Sequence, residues 1–150
     1  TGDRVDVAFH AQIHEFRNVR SVQLNVLDLR RYAPAGLFDR YREGERLTGA
    51  ERAALAPQRS DVADVWRYLC RAADRSRTLH CERSALCLAV STASPRHSPE
   101  RTLPCVAILA ELHLLTVRRD GAMLTLTLAD GSVRSALENS ALYRALKGES

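Results

Sequence analysis

Long hydrophobic runs are missing. No apolar stretch among the 150 residues approaches the ~20 that a membrane-spanning helix needs, although 45% of the chain is hydrophobic. Lysine is nearly absent too, since 21 of the 22 basic residues are Arg. That reads first as the mark of a GC-rich coding sequence and only second as selection for the fork that arginine offers to phosphates. Cys70, Cys81, Cys87 and Cys105 form no Cys-x-x-Cys pair, and three of them sit among apolar helical residues, where reduced cysteine behaves as a small hydrophobe. A cytoplasmic, reducing compartment is the expectation. There is no Gly-rich phosphate loop, no Gly-x-Ser-x-Gly elbow, no internal repeat and no low-complexity segment. A basic n-region followed by an apolar h-region is also lacking, position 1 is not Met, and a strand pattern has begun by Val5, so the chain is expected to be cut from something longer.

What is present suits one domain, or one small domain and a fragment of another. The formal charge of +4 is spread evenly: residues 1–60 carry ten Arg against eight acids, and residues 61–150 carry twelve basic residues against ten acids. Neither half is a basic tail.

The stretch Thr102 to Gly121 organises the rest. Thr102 can cap a helix, Pro104 fits only its first turn, and Cys105, Ile108, Leu109 and Leu112 recur at the spacing of one buried face. Leu115 and Val117 then alternate with polar neighbours, Asp120-Gly121 supplies a two-residue turn of type I′ preference, and Leu124, Leu126 and Leu128 alternate on the way back. A helix running into a hairpin is the second half of a winged helix. Its first half is expected in Asp61 to Val90.

Upstream, Val5, Val7, Phe9, Ala11 and Ile13 alternate with Asp6, Ala8, His10, Gln12 and His14, the pattern of a half-buried strand. Arg17-Asn18-Val19-Arg20 makes the turn, with Asn18 best able to take positive φ, and Val22, Leu24 and Val26 form the return strand. Such a hairpin is marginal alone, so its apolar face must pack on this chain, pair with another chain, or belong to a barrel. In the segment Tyr32 to Glu45, Leu37, Phe38 and Tyr41 fit one short helix. Thr48 and Glu51 form a capping box for another, which runs to about Leu55 and is stopped by Pro57. Ser60 or Asp61 then caps a helix with Val62, Val65, Trp66 and Leu69 on one face. His80 to Ala93 supplies a middle helix, Ser94 to Arg101 a loop, and Ala141 to Leu146 a last helix capped by Ser140, after which Lys147 to Ser150 frays.

Gly2-Asp3-Arg4-Val5-Asp6-Val7, Glu15-Phe16-Arg17, Arg20-Ser21-Val22-Gln23-Leu24 and Asp28-Leu29-Arg30 together resemble the last two strands of the OB domain in bacterial RecJ single-strand-specific exonucleases. His14 and Asn18 stand where most members carry Asn and Gly. Pro57-Gln58-Arg59, Trp66-Arg67-Tyr68-Leu69, Ile108-Leu109-Ala110-Glu111-Leu112 and Ser140-Ala141-Leu142-Tyr143 are similar to the domain that follows the OB domain in Firmicute-type members. The resemblance implies an α+β chain: residues 1–31 the β-hairpin remnant of an OB-type barrel, 32–59 a helical connector, and 60–150 a helical, winged-helix-like C-terminal domain.

Members of that family cleave single-stranded DNA from the 5′ end with two metal ions, Mn or Mg, held by aspartates and an Asp-His-His motif. This chain has neither that motif nor an Asp-x-Asp pair, so it is expected to hold no metal, no cofactor and no catalytic residue of its own. The implied role is to hold single-stranded DNA and to meet a partner, such as single-strand-binding protein or another repair factor. Phe16, Arg17 and Arg20 at the hairpin turn are the candidates for stacking and phosphate contact, with Arg118 and Arg119 near the wing tip. The helix Leu103 to Leu115 offers a DNA groove no Arg or Lys.

The alternative is a stand-alone winged-helix regulator or scaffold that dimerises through its hairpin. Two imitations of metal sites also stand in the sequence. His10, His14 and Glu15 fail to converge because Glu15 points to the opposite face. Cys70, His80, Cys81 and Cys87 include adjacent residues that rarely share one tetrahedron.

Overall fold

The structure is a computed structural model that describes residues 5–31 and 33–148, with the backbone alone at 6 and 28–31. Gly2-Asp3-Arg4, Tyr32 and the last two residues of the expected frayed end lie outside the described residues. The chain is α+β and divides into two units, Thr1–Ala33 and Pro34–Ser150.

The first unit is a long antiparallel hairpin, β1 (Val5–Phe16) and β2 (Val19–Arg31). Its two-residue turn places both Arg17 (φ 49°) and Asn18 (φ 62°) in the left-handed region, the type I′ pattern whose twist matches that of the strands. Phe9 faces Val26, Ala11 faces Leu24 and Ile13 faces Val22 across one side. His10, Gln12 and His14 face Asn25, Gln23 and Ser21 across the other. The alternation is as the sequence predicts, but the half-burial is not found: Phe9, Ile13, Val22, Leu24 and Val26 are all more than half exposed.

The second unit opens with α1 (Gly36–Arg42) and α2 (Gly49–Leu55), whose Phe38 and Leu55 enter the main core. The capping box of α2 forms in full: Thr48 Oγ1 accepts from Glu51 N at 3.1 Å, and Thr48 N donates to Glu51 Oε2 at 2.8 Å. Helix α3 (Arg59–Ala72) starts ahead of its expected cap. Asp61 lies inside its first turn and its carboxylate reaches back to Gln58 N at 2.7 Å.

The middle helix is shorter than its apolar pattern suggests. Thr78–Glu82 is a strand, β3, and only Arg83–Ala93 is helical, α4. Leu79 and Cys81 pack on the core from β3, while the Glu82 carboxylate accepts the amides of Ser84 and Ala85 and so fixes the helix start. After a 3-10 turn at Pro99–Arg101 comes α5 (Thr102–Glu111), the central element, with Cys105 and Ile108 wholly buried and Leu109 and Leu112 nearly so. Thr102 does not cap it, because Thr102 lies within the helix and its hydroxyl bonds His97.

Strands β4 (Leu115–Asp120) and β5 (Met123–Leu128) complete a sheet of order β3-β5-β4, antiparallel throughout. The loop between them is Gly121-Ala122 rather than Asp120-Gly121. Only Gly121 has positive φ (60°), the signature of type II′ rather than I′. Leu115, Leu124, Leu126 and Leu128 close over α5, and α6 (Ala141–Leu146) ends the fold under the Ser140 cap, at 3.0 Å from Tyr143 N.

Candidate functional site

At the hairpin tip, strand alternation decides which side chains can act together. Phe16 is 74% exposed and shares the polar face with Val19 and His14, while Glu15 and Arg20 face each other across the apolar side in a 3.5 Å ion pair. Arg17, in the turn itself, lays its guanidinium over the Phe16 ring at 5.3 Å. The structure therefore joins Phe16 to Arg17 and sends Arg20 to the opposite side, with Glu15 as partner. His10 and His14 share a face without Glu15.

In the second unit Arg118 and Arg119 also diverge. Arg118 pairs with Thr125 on the outer face of the sheet, near His80, whose Nδ1 is 3.0 Å from Thr125 Oγ1. Arg119 lies on the core face, where it rims a groove of about 520 Å³. The floor comes from one face of α5, Leu103, Val106, Ala107 and Ala110, joined by Leu124 of β5 and Leu142 of α6. Phe38 and Arg42 of α1 form one wall; Val117 and Arg119 of β4 form the other.

The charges around this groove are mostly spoken for. Arg83 grips Asp39 through both guanidinium arms, with Nη1 to Oδ2 at 2.9 Å. Glu111 accepts from Ser140 Oγ at 2.6 Å and from the amides of Ala141 and Leu142 at 2.9 and 3.2 Å. Burial pushes the Glu111 carboxyl up, but those hydrogen bonds outweigh it and hold the group below its ordinary value. Two cations remain. Arg42 leans on Phe38 at 5.8 Å with no carboxylate partner among the described residues. Arg119 donates to Gly121 O at 2.8 Å and is 3.9 Å from the already engaged Asp39.

A third cluster looks catalytic and is not placed to be. Asp61 Oδ1, His97 Nδ1, His97 Nε2 and Thr102 Oγ1 lie in the order of a carboxylate-imidazole-hydroxyl relay, at 3.4 Å and 2.8 Å. Yet Asp61, His97 and Thr102 are buried, so no substrate reaches the hydroxyl. Arg101 Nη1 holds Asp61 at 3.2 Å, while Arg67 and Arg96 hold Asp64 at 3.1 and 3.3 Å. The arrangement ties the segment before α5 to α3. Of the imagined zinc ligands, His80 and Cys81 point to opposite faces of β3, Cys87 is buried and Cys70 exposed. Among the described residues no three His, Cys, Asp or Glu side chains converge as metal ligands.

Set against known proteins, the chain matches no family model, no curated protein and no solved structure. Sequence reasoning names the tip residues and Arg119 as candidates and does not single out Arg42 or the Arg83–Asp39 pair, whose members stand 44 positions apart and leave no local pattern.

Proposed function

We propose that this chain is a non-catalytic part of a RecJ-like, single-strand-specific 5′–3′ exonuclease acting in DNA repair and recombination. The hairpin completes an OB-type barrel and helps to hold single-stranded DNA; the second unit is a winged-helix-like module that meets a partner protein. The observation that carries the reading is the hairpin's bare apolar side, Phe9, Ala11 and Ile13 opposite Val26, Leu24 and Val22. Two strands alone do not sustain such a face in water, whereas a closed barrel covers it and pairs both edges. The element order α3-β3-α4-α5-β4-β5, with sheet order β3-β5-β4, supports the winged-helix part of the reading. Helix α5 is largely buried and what it leaves accessible includes no Arg or Lys, which argues against groove reading and favours protein contact. In this reading the Mn or Mg pair of the family belongs to its catalytic domain; among the described residues of this chain no three His, Cys, Asp or Glu side chains converge as metal ligands.

The test is fluorescence anisotropy of a labelled single-stranded oligonucleotide, titrated with the chain at several salt concentrations and against a duplex of equal length. Preference for the single strand, weakening with salt, is expected, and Phe16→Ala should cost ~1–3 kcal/mol if a base stacks on the ring. Absence of binding even at low salt overturns the DNA-holding role.

A further inference from the structure

Helix α3 hides its acids and shows its bases. Asp61 and Asp64 are 4% and 2% exposed, whereas its other charged side chains, Arg59, Arg67 and Arg71, stand in solvent. Arg59 is paired with Glu138, so the unmatched charge lies in the second half of the helix. There Asp64, Arg67 and Arg71 recur at i, i+3 and i+7, the spacing of one stripe.

Arg96, from the segment that follows α4, joins that stripe. Arg67 Nη1 and Arg96 Nη2 reach the same oxygen, Asp64 Oδ1, at 3.1 and 3.3 Å, and Arg96 Nε reaches Oδ2 at 3.3 Å. One buried carboxylate thus holds two guanidinium groups side by side, although their side chains are 60% and 68% exposed. Arg71 comes next along the helix. Its Nε lies 3.4 Å from Arg67 O, which draws the group back toward Arg67 and leaves both Nη atoms without a partner among the described residues. Three cations therefore share one anion, and the anion is the member that solvent cannot reach. Either Arg67 or Arg96 alone would neutralise Asp64; the other, and Arg71 beyond it, are surplus to that charge.

We propose that Arg67, Arg71 and Arg96 form a contact for the phosphate backbone of single-stranded nucleic acid. The guanidinium fork suits the two unesterified oxygens of a phosphodiester. Arg67 and Arg71 stand about one helical turn apart, ~6 Å along the axis, comparable with the step between successive phosphates of an extended strand. The choice of nucleic acid over an acidic peptide rests on the reading of this chain as part of a single-strand nuclease. The contact itself goes beyond that reading, which gives the second unit only a protein partner. It also differs in kind from a base stacked on Phe16, because phosphate contacts are blind to the bases.

The probes are labelled oligo-dT and a strand of the same length built of abasic units, each titrated with the chain at several salt concentrations. Both should bind, and Arg67→Gln and Arg71→Gln should each reduce the slope of log affinity against log salt by about 0.7 on either strand. Phe16→Ala should weaken oligo-dT alone. Both arginine variants should keep the fold by circular dichroism, since Arg96 still pairs with Asp64 in the first and Arg71 touches only a backbone carbonyl. Arg46→Gln makes the same charge change on the loop between α1 and α2 and should leave the slope as it is; an equal fall there means bulk charge and overturns the site. A slope untouched by Arg67→Gln and Arg71→Gln, or binding of oligo-dT without the abasic strand, overturns the α3 contact and leaves the hairpin's role standing. A reduced slope in the arginine variants with no effect of Phe16→Ala has the reverse meaning. Competition by poly-glutamate as strong as by unlabelled oligo-dT overturns the phosphate assignment and gives the stripe to an acidic protein.

Discussion

His97 Nε2 lies 2.8 Å from Thr102 Oγ1, with both side chains shut away from solvent. The other ring nitrogen is 3.4 Å from Asp61 Oδ1 and makes no hydrogen bond. Burial lowers the His97 pKa below its ordinary 6.5, and although Asp61 and Asp64 pull it upward, burial prevails. The folded protein therefore keeps the ring neutral while the unfolded chain charges it. Unfolded molecules bind more protons below about 6.5, so stability should decline as pH falls from there and level off at the folded pKa. Urea midpoints from pH 7 to 5 check this. His97→Gln, which can still reach the Thr102 hydroxyl, should flatten that decline. An unchanged slope would show that other groups carry it.

Ser140 links the last helix to α5 with one hydroxyl that both gives and takes. Its oxygen accepts from Tyr143 N at 3.0 Å and its proton goes to Glu111 Oε2 at 2.6 Å. Ser140→Ala removes both at a fully buried position and should destabilise the protein by roughly 1–2 kcal/mol, most of it a lost N-cap. Glu111→Gln should cost less at pH 7. Because the Glu111 pKa is lowered in the fold, its contribution is present above the ordinary carboxylate value of 4.5 and lost as pH falls through the folded one. The difference between wild type and Glu111→Gln should therefore shrink in acid, which thermal melts at pH 7 and pH 4 can measure.

His113 terminates α5 in the left-handed region at φ 60°, with its own amide donating to Ala110 O and the amide of Leu114 to Leu109 O, each at 3.0 Å. This is the two-bond Schellman stop that usually employs glycine. An L side chain there is strained by roughly 1–2 kcal/mol, against a smaller gain in unfolded-chain entropy for glycine. His113→Gly should thus raise stability by up to about 1 kcal/mol, and His113→Val should lower it. Denaturant midpoints at constant m-value decide the matter.

How much of this could be read from residue order depends on how local the cause is. The Thr48–Glu51 box and the Ser140 cap are set by side chains within three residues of the amides they serve, and both form as expected. The buried stripe of α5 is periodic and survives intact. Strand β3 is different. Its five residues run into a helix with no Gly or Pro between, and what holds Leu79 and Cys81 in a strand is pairing with Leu126 and Leu124, far along the chain. The turn after Asp120 depends on the phase of the ladder, which puts Asp120 opposite Met123 and leaves Gly121-Ala122 to form the loop. Arg42 is one of 21 arginines, and no local pattern distinguishes it from the others. Only the packing of α1 beside α5 and β4 makes it part of a groove.

The four thiols should separate by environment, which makes them reporters of the fold. Burial pushes the Cys87 thiol up to about 12, against the Thr102 hydrogen bond and then Arg83, and pushes Cys105 well above its ordinary value, with Arg101 opposing. Cys81, half-buried beside Glu82, is raised as well. Cys70 stands exposed on α3. Since the thiolate is the nucleophile, a disulfide reagent at pH 8 should label Cys70 first and Cys81 more slowly, leaving Cys87 and Cys105 until denaturant is added. Peptide mapping after brief labelling identifies which thiols have reacted. Rapid modification of Cys105 in the native protein would mean that α5 opens readily, and the central place given to that helix would then have to be abandoned.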